Sequence, residues 1–155
     1  MKIKIISPAN KMPDWVNTAC HEFQKRLDDS CKVEVLDIAL QKRSKNADIK
    51  SLMDKEGKAM LALTPEQDRV IALSIGGKTF SSEAFSTQLQ QWQQSGQNIT
   101  FYIGGPEGLA DSCMQRAHQQ ISLSTLTLPH PLVRVVLIEQ IYRAHCIGKG
   151  HPYHK

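Results

Sequence analysis

The sequence predicts an α/β fold: a single domain, residues 1–155, in which helices cover both faces of a five-stranded, mainly parallel sheet. Two observations lead to this prediction. Five short apolar runs alternate with five segments of helical spacing, and the connections between them are short. Because parallel strands need a crossover segment, usually a helix, this alternation favours a parallel sheet. A chain of 155 residues also fits one domain.

The predicted strands are the apolar runs that end at polar or turn residues. They cover residues 3–6, 33–40, 70–73, 99–103 and 121–128. The predicted helices lie between and after them, at residues 13–27, 47–63, 82–94, 110–120 and 131–147. Pro13 and Pro131 suit the first turns of the first and last helices, and Ser81 suits the N-cap of the third. Helical spacing of apolar residues marks the second helix, at Ile49, Leu52, Met53 and Met60.

The last predicted helix is apolar around most of its circumference, at Leu132, Val133, Val135, Val136, Leu137, Ile138 and Ile141. Such a helix is buried nearly all round. If one face covers the sheet, the other most easily meets a second copy of the chain, so we expect a homodimer. The alternative is a central core helix in a monomer.

Composition and cysteine spacing indicate a cytoplasmic protein without a membrane span. No run approaches the ~20 apolar residues that a span requires, and Lys2 and Lys4 interrupt the first apolar stretch, so no signal peptide is expected. The four cysteines form no C-x-x-C pair, which is typical of buried thiols in a reducing compartment.

The charge distribution permits a nucleic-acid partner. The net charge of +4 is modest, but basic residues cluster in "QKRSKN" and in the C-terminal tail. These candidate phosphate contacts are Lys42, Arg43, Lys45, Lys149, His151, His154 and Lys155. The alternative is a solvated loop and a frayed terminus.

Glycine doublets follow two of the predicted strands, in "LSIGGK" and "IGGPEGL". Ligands of parallel sheets bind beyond the carboxyl ends of the strands, so these stretches and "LSTLTLPHP" are candidate ligand loops. The stretch "FYIGGPEGLA" contains neither a G-x-G-x-x-G nor a G-K-[ST] motif, which argues against a dinucleotide fingerprint and a phosphate loop there. The alternative is that Gly76, Gly77, Gly104 and Gly105 only make tight strand-to-helix turns.

Several motifs together give the chain a family resemblance over essentially its whole length. They are "KMPDWV", "KNADIK", "MDKEG", "IGGPEGL", "SLSTLTLPHPLVRVVLIEQIYRA" and "HPYHK". In their order and spacing the sequence resembles the SPOUT-class methyltransferases that act on N3 of a pseudouridine in bacterial 23S ribosomal RNA. Ala9 is a departure, since the family usually has glycine just before the segment matching "KMPDWV".

The resemblance implies a C-terminal trefoil knot whose loops bind S-adenosyl-L-methionine, and a substrate within the assembled ribosome. By position, the implied cofactor-binding residues are Leu73, Gly104, Leu123, Ser124, Thr125, Leu126, Thr127 and Leu128. Glycine at 104 would let the backbone approach the cofactor, and the leucines would supply apolar walls for the adenine.

The reaction needs a base, because the imide N3 of pseudouridine is protonated at neutral pH and is then a poor nucleophile. Candidates for the base or a proton relay are His130, His151, His154 and Tyr153, and candidates for stabilising the anion are Arg134 and Arg143. Alternatively, His130 only caps the last helix, and Arg134 pairs with Glu139 or Glu107 across a dimer contact. The H-x-x-H spacing of His151 and His154 has no third and fourth ligand nearby, so we expect no metal.

Two other functions fit the same residues. One is a non-catalytic ribosome-binding or RNA-binding module with this fold, and the other is a small nucleotide-binding α/β protein. Neither requires a methyl donor, so affinity for S-adenosylmethionine distinguishes them from the methyltransferase.

Overall fold

A computed structural model describes residues 1–155. Strands and helices alternate in the order β1 (Lys2–Pro8), α1 (Asp14–Gln24), β2 (Lys32–Ile38), α2 (Ile49–Ala62), β3 (Arg69–Thr79), α3 (Ser82–Gln94), β4 (Ile99–Tyr102), α4 (Asp111–Arg116), β5 (Gln119–Ser122) and α5 (His130–Gly148). A 3₁₀ turn, Pro152–His154, follows. The strands form one sheet in the order β2-β1-β4-β3-β5, and every neighbouring pair is parallel. The predicted α/β fold with a five-stranded parallel sheet is confirmed.

The sheet has a hydrophobic core on each face, as alternation of side chains along its strands requires. On one face Ile3, Ile5 and Phe101 pack with residues of α1, α3 and α5. On the other, Ile6 and Tyr102 pack with residues of α2 and α4. The prediction of helices on both faces is therefore confirmed.

Capping side chains fix where two helices begin. The predicted N-cap, Ser81, accepts a hydrogen bond from the backbone N–H of Ala84 at 3.1 Å, and α3 has the predicted bounds. In α2, Asp48 accepts from the N–H of Ser51, so this helix begins after Asp48 and not at residue 47. At α4 the prediction was too long, because Gln119 and Gln120 belong to β5.

The last strand is much shorter than its apolar run. β5 ends at Ser122, so the predicted strand over 121–128 is wrong beyond that residue. The hydroxyl of Ser122 donates to the carbonyl of Ser124 at 2.9 Å, and the hydroxyl oxygen of Ser124 accepts from the N–H of Leu126. These local bonds replace sheet pairing, and residues 123–128 form a loop.

The first glycine doublet lies inside a strand. β3 continues through Gly76 and Gly77 to Thr79, whereas the prediction ended the strand at Leu73 and read the doublet as a strand-end feature. Both Leu73 and Lys78 pair with Ile121, so residues 74–77 bulge out of the ladder between them.

The apolar helix α5 is buried within the single chain to a large extent. It packs against both α1 and α3, and Leu137, Ile138 and Ile141 are fully buried. Neighbouring helices thus account for much of its apolar surface, as the monomer alternative required. None of the helices combines the length and apolar character that crossing a membrane would demand.

The β3 bulge makes one glycine of the doublet indispensable. A Cβ on Gly77 would lie 2.5 Å from the carbonyl carbon of Ile121, whereas a Cβ on Gly76 would meet nothing within 4 Å. We expect Gly77→Ala to lower the free energy of unfolding by about 1–3 kcal/mol, since the backbones of β3 and β5 must separate. Gly76→Ala is the matched control and should change it by less than ~0.5 kcal/mol. Urea unfolding measures both, and equal midpoints for the two variants would contradict this account.

Candidate active site

A cleft of about 950 Å³ lies at the carboxyl ends of the strands, as the general rule for parallel sheets predicts. Four segments form most of its wall: residues 8–13 after β1, 73–75 in β3, 103–109 after β4, and the loop before α5. The volume is within the range of small-molecule sites.

The cleft brings together most of the predicted cofactor-binding residues. Its lining includes Leu73, Gly104, Leu123, Ser124, Leu126, Thr127, Leu128 and the candidate catalytic residue His130. Thr125 belongs to the same loop but is not part of the lining. Two apolar side chains near the mouth are strongly exposed, Ile75 by 82% and Leu126 by 75%. Apolar groups left in water at the mouth of a cleft favour contact with a ligand or another chain.

The glycines after β4 shape the loop itself. A Cβ on Gly104 would lie 2.5 Å from the carbonyl carbon of Gly108, whose φ of +90° also suits glycine. Gly105 and Gly108 form an isolated antiparallel bridge. Residues 104–108 therefore fold back on themselves, which requires glycine at 104 whether or not a cofactor binds. Approach of this backbone to a cofactor stays a prediction.

His130 connects α5 to this loop. The carbonyl of Gly104 lies 3.1 Å from Nδ1, so Nδ1–H donates and Nε2 is left as an acceptor. Nε2 is buried and has no partner within the chain. Burial, assisted by the nearby Arg134 charge, lowers the pKa of His130 below its ordinary value and favours the neutral ring. The capping alternative is wrong, because Pro129 occupies the N-cap of α5 and makes no side-chain cap.

Arg134 is a buried partner of an acid that the sequence did not suggest. Its side chain is 2% exposed and pairs with Asp37, with Nη1 donating to Oδ2 at 3.1 Å, while Nη2 donates to the hydroxyl of Ser7 at 2.8 Å. Within its own chain, Arg134 is paired with Asp37 and contacts neither Glu139 nor Glu107, and a pairing across a dimer contact stays a prediction. Arg134 does not line the cleft. Sequence reasoning missed Asp37 and Ser7, and only their positions near the carboxyl ends of β1 and β2 offered a signal.

The tail does not reach the cleft of its own chain. Tyr153 packs on Tyr142 with ring centroids 4.6 Å apart, and its hydroxyl donates to Glu139 at 3.2 Å. Burial and the Glu139 carboxylate raise the pKa of Tyr153. Tyr142 is twelve residues along α5 from His130, a distance of about 18 Å in a helix. His151 and His154 are exposed, and none of the three predicted tail residues lines the cleft.

The predicted basic cluster at 42–45 is divided. Lys42 and Lys45 are exposed, as phosphate contacts would be. Arg43 instead turns inward and forms ion pairs with Glu56 and Glu107, so its prediction as a free phosphate contact is wrong. Arg143, the other candidate anion stabiliser, is paired with Glu139 on α5.

Sequence reasoning missed the segment 8–13 and Leu40 as parts of the cleft wall. Both follow strands β1 and β2, and a parallel sheet brings these strand ends to the same edge as those of β3, β4 and β5. Applying the strand-end rule to every strand would have found them. The structure contains no group of three or more His, Cys, Asp or Glu side chains placed to hold a metal ion.

Comparison with known proteins decides the family. A family model described as "Predicted SPOUT methyltransferase" matches residues 1–154. The chain belongs to the SPOUT methyltransferase family. It is also 46% identical to ribosomal RNA large subunit methyltransferase H of Hahella chejuensis (strain KCTC 2396), over 100% of this chain and 99% of that protein.

Membership in the SPOUT methyltransferase family implies a methyl donor, and the cleft offers a site for one. Its wall is apolar at Leu123, Leu126 and Leu128, and the buried Nε2 of His130 is an unused acceptor among the residues of the wall. An apolar wall with few polar atoms is typical of cofactor sites.

The environment of His130 predicts a pH dependence of stability. Its pKa is lowered from 6.5 in the folded chain, so the unfolded chain takes up this proton at higher pH. The stabilising contribution is complete above about pH 6.5 and is lost as the pH falls through the folded-state pKa. Proton NMR should find His130 titrating below its ordinary value. In His130→Gln, whose amide can still donate to Gly104, unfolding free energy should depend less on pH in this acid range; identical pH profiles would contradict the assignment.

Proposed function

We propose that this protein transfers a methyl group from S-adenosyl-L-methionine to N3 of a pseudouridine in 23S rRNA of the large ribosomal subunit. The observation that carries the proposal is the full-length match to a relative named as a large-subunit ribosomal RNA methyltransferase. The apolar cleft at the strand ends supports it, because it joins the residues expected to hold the cofactor. A ribosomal substrate also implies a cytoplasmic location.

The proposed cofactor site is the cleft wall formed by Leu73, Gly104 and the loop 123–128. The leucines of the loop would contact the adenine, while backbone N–H and C=O groups of the loop would bind its edge. The cofactor supplies an electrophilic methyl group on a sulfonium. We further propose that residues 123–128 and α5 complete the trefoil knot of the family.

The protein must remove the N3 proton and align N3 with the methyl group at ~3–3.5 Å. A base must reach that proton, and Nε2 of His130 is covered by protein atoms. We therefore assign proton removal to the tail, which carries the exposed His151 and His154 and the partly buried Tyr153. We assign to His130 the task of holding the Gly104 carbonyl. The cofactor, held by Leu73, Gly104 and the loop 123–128, would supply its methyl group to the deprotonated N3. Arg134 acts behind His130 by favouring its neutral ring.

None of the candidate tail residues lines the cleft of its own chain, so we propose that the tail of a second copy completes each site in a homodimer. Exposed apolar side chains at Ile75, Leu126 and Leu132, all at the cleft end of the chain, support a partner at this edge. The interface of such a dimer is isologous. Each protomer would therefore place its tail in the partner's site and receive the partner's tail in its own site.

Dimerisation and tail exchange are tested together by complementation. Light scattering should give about twice the chain mass of 17.4 kDa. A chain ending at residue 150 and a cleft variant, Leu128→Asp, should each be inactive alone. After remixing, half of the dimers should be mixed and carry one intact site, so about a quarter of the normal activity should return. No recovery from mixed dimers, or a normal rate from the truncated chain, would contradict this assembly.

The small basic surface predicts the form of the substrate. With a net charge of +4 per chain and predicted basic clusters limited to Lys42, Lys45 and the tail, the dimer is expected to neutralise only a few phosphates. Free RNA should bind weakly at physiological salt, whereas an assembled ribosome fixes the target loop and adds surface to contact.

We expect S-adenosylmethionine to bind the protein, and tritium from its methyl group to enter assembled ribosomes that lack the modification. The isolated 23S hairpin should incorporate little in the same salt. Ribosomes already modified in the cell are the control, and should incorporate none. Binding of the cofactor without any transfer would favour a non-catalytic RNA-binding module, and equal incorporation into hairpin and ribosome would contradict the substrate assignment.

A further inference from the structure

Arg43 uses every hydrogen-bond donor of its guanidinium within the chain. Nε donates to Oε1 of Glu107 at 3.3 Å, and Nη2 donates to Oε2 of Glu107 at 2.9 Å and to Oε2 of Glu56 at 3.0 Å. Nη1 donates to the carbonyl of Gln41 at 2.7 Å and also to Oε1 of Glu56. A guanidinium has five N–H groups, and all are engaged. No donor is left for a phosphate.

The three partners of Arg43 belong to three separate segments. Gln41 lies in the connection after β2, Glu56 lies on α2, and Glu107 lies in the loop 104–108 that lines the cleft. Glu56 is 3% exposed and also accepts from the backbone N–H of Gln41 at 2.9 Å. One side chain thus joins the cleft loop to a buried carboxylate on the helix beneath it.

The cleft loop also passes close to this cluster. A Cβ built on Gly105 would lie 3.7 Å from Oε2 of Glu56, 3.6 Å from Leu40 and 3.3 Å from Pro8. A side chain at 105 would therefore meet the same carboxylate that Arg43 holds. Any shift of Glu56 or Arg43 would change the support of residues 104–108 from below.

From these contacts we infer that Arg43 is a positioning residue for the cofactor loop and does not bind RNA. The inference rests on the proposed cofactor site, since Gly104 and its neighbours form one wall of it. Arg43 holds this loop to Glu56 on α2 and to the connection after β2. Lys42 and Lys45, which flank it and are exposed, are the residues of this segment that remain free for phosphates.

Lysine cannot replace arginine here, because an ammonium has three donors around a point charge and cannot pair with two carboxylates side by side. Arg43→Lys therefore keeps the positive charge but loses the planar guanidinium that binds both carboxylates. A phosphate contact would tolerate this change, whereas a positioning role would not. Glu107→Gln removes the Arg43–Glu107 ion pair by changing the acid, and leaves the Arg43–Glu56 ion pair intact.

The test is a double-mutant cycle on S-adenosylmethionine affinity, measured by calorimetry. We expect Arg43→Lys and Glu107→Gln each to weaken binding by roughly tenfold, the loss of about one charge-assisted hydrogen bond. The double variant should bind S-adenosylmethionine no more weakly than Arg43→Lys, because both changes break the same Arg43–Glu107 ion pair. Lys58→Gln, which removes an exposed charge elsewhere on α2, is the control and should bind normally. In turnover, the KM for the cofactor should rise while kcat at saturating cofactor changes little.

Thermal unfolding separates positioning from loss of fold. If Arg43→Lys fails to fold because Glu56 loses its partner, Glu107→Gln still tests the inference. The Glu107 side chain is 31% exposed, so its replacement should not prevent folding. Unchanged cofactor affinity in folded Arg43→Lys or Glu107→Gln would overturn the inference, as would a defect confined to ribosome binding. A wild-type protein that binds no S-adenosylmethionine would instead contradict the proposed function itself.

Discussion

The arrangement of the site depends on how the loop 104–108 is held at the carboxyl end of β4. On one side the Nδ1–H of His130 binds the carbonyl of Gly104, and on the other Arg43 binds Glu107. The loop's own glycine-to-glycine contact leaves no room for a side chain at 104. Since a mobile backbone would cost ordering entropy on binding, these fixed ends pre-organise the cleft for a ligand.

Two arginines in ion pairs stabilise this part of the fold. Arg134, which is buried, pairs with Asp37, and Arg43, which is partly buried, pairs with the buried Glu56 and with Glu107. Removing Asp37 would leave the Arg134 charge unpaired in a medium that solvates it poorly, and removing Arg43 would do the same to Glu56. The Arg134–Asp37 and Arg43–Glu107 pairs join segments far apart in the sequence.

The sequence predicted the layers well because periodicity and turn residues are local signals. Five strands, five helices and the cap at Ser81 follow from them. It failed where an apolar run leaves the sheet, as after Ser122, because leucines that line a cleft look like leucines in a strand. It also failed for Arg43 and Arg134, whose partners are set by tertiary contacts that no spacing reveals. The strand-end rule, applied to β1 as well, would have found the cleft wall at 8–13.

The central proposal is that a pseudouridine of 23S rRNA is the methyl acceptor, and the similarity to a protein named as a large-subunit ribosomal RNA methyltransferase supports it. Mass spectrometry of nucleolytic fragments of 23S rRNA, from cells with and without the gene, measures this most directly. We predict that one pseudouridine-containing fragment is lighter by a single methyl group in cells without the gene, and that the mass returns when the gene is restored. Identical fragment masses in the two cell populations would contradict the account.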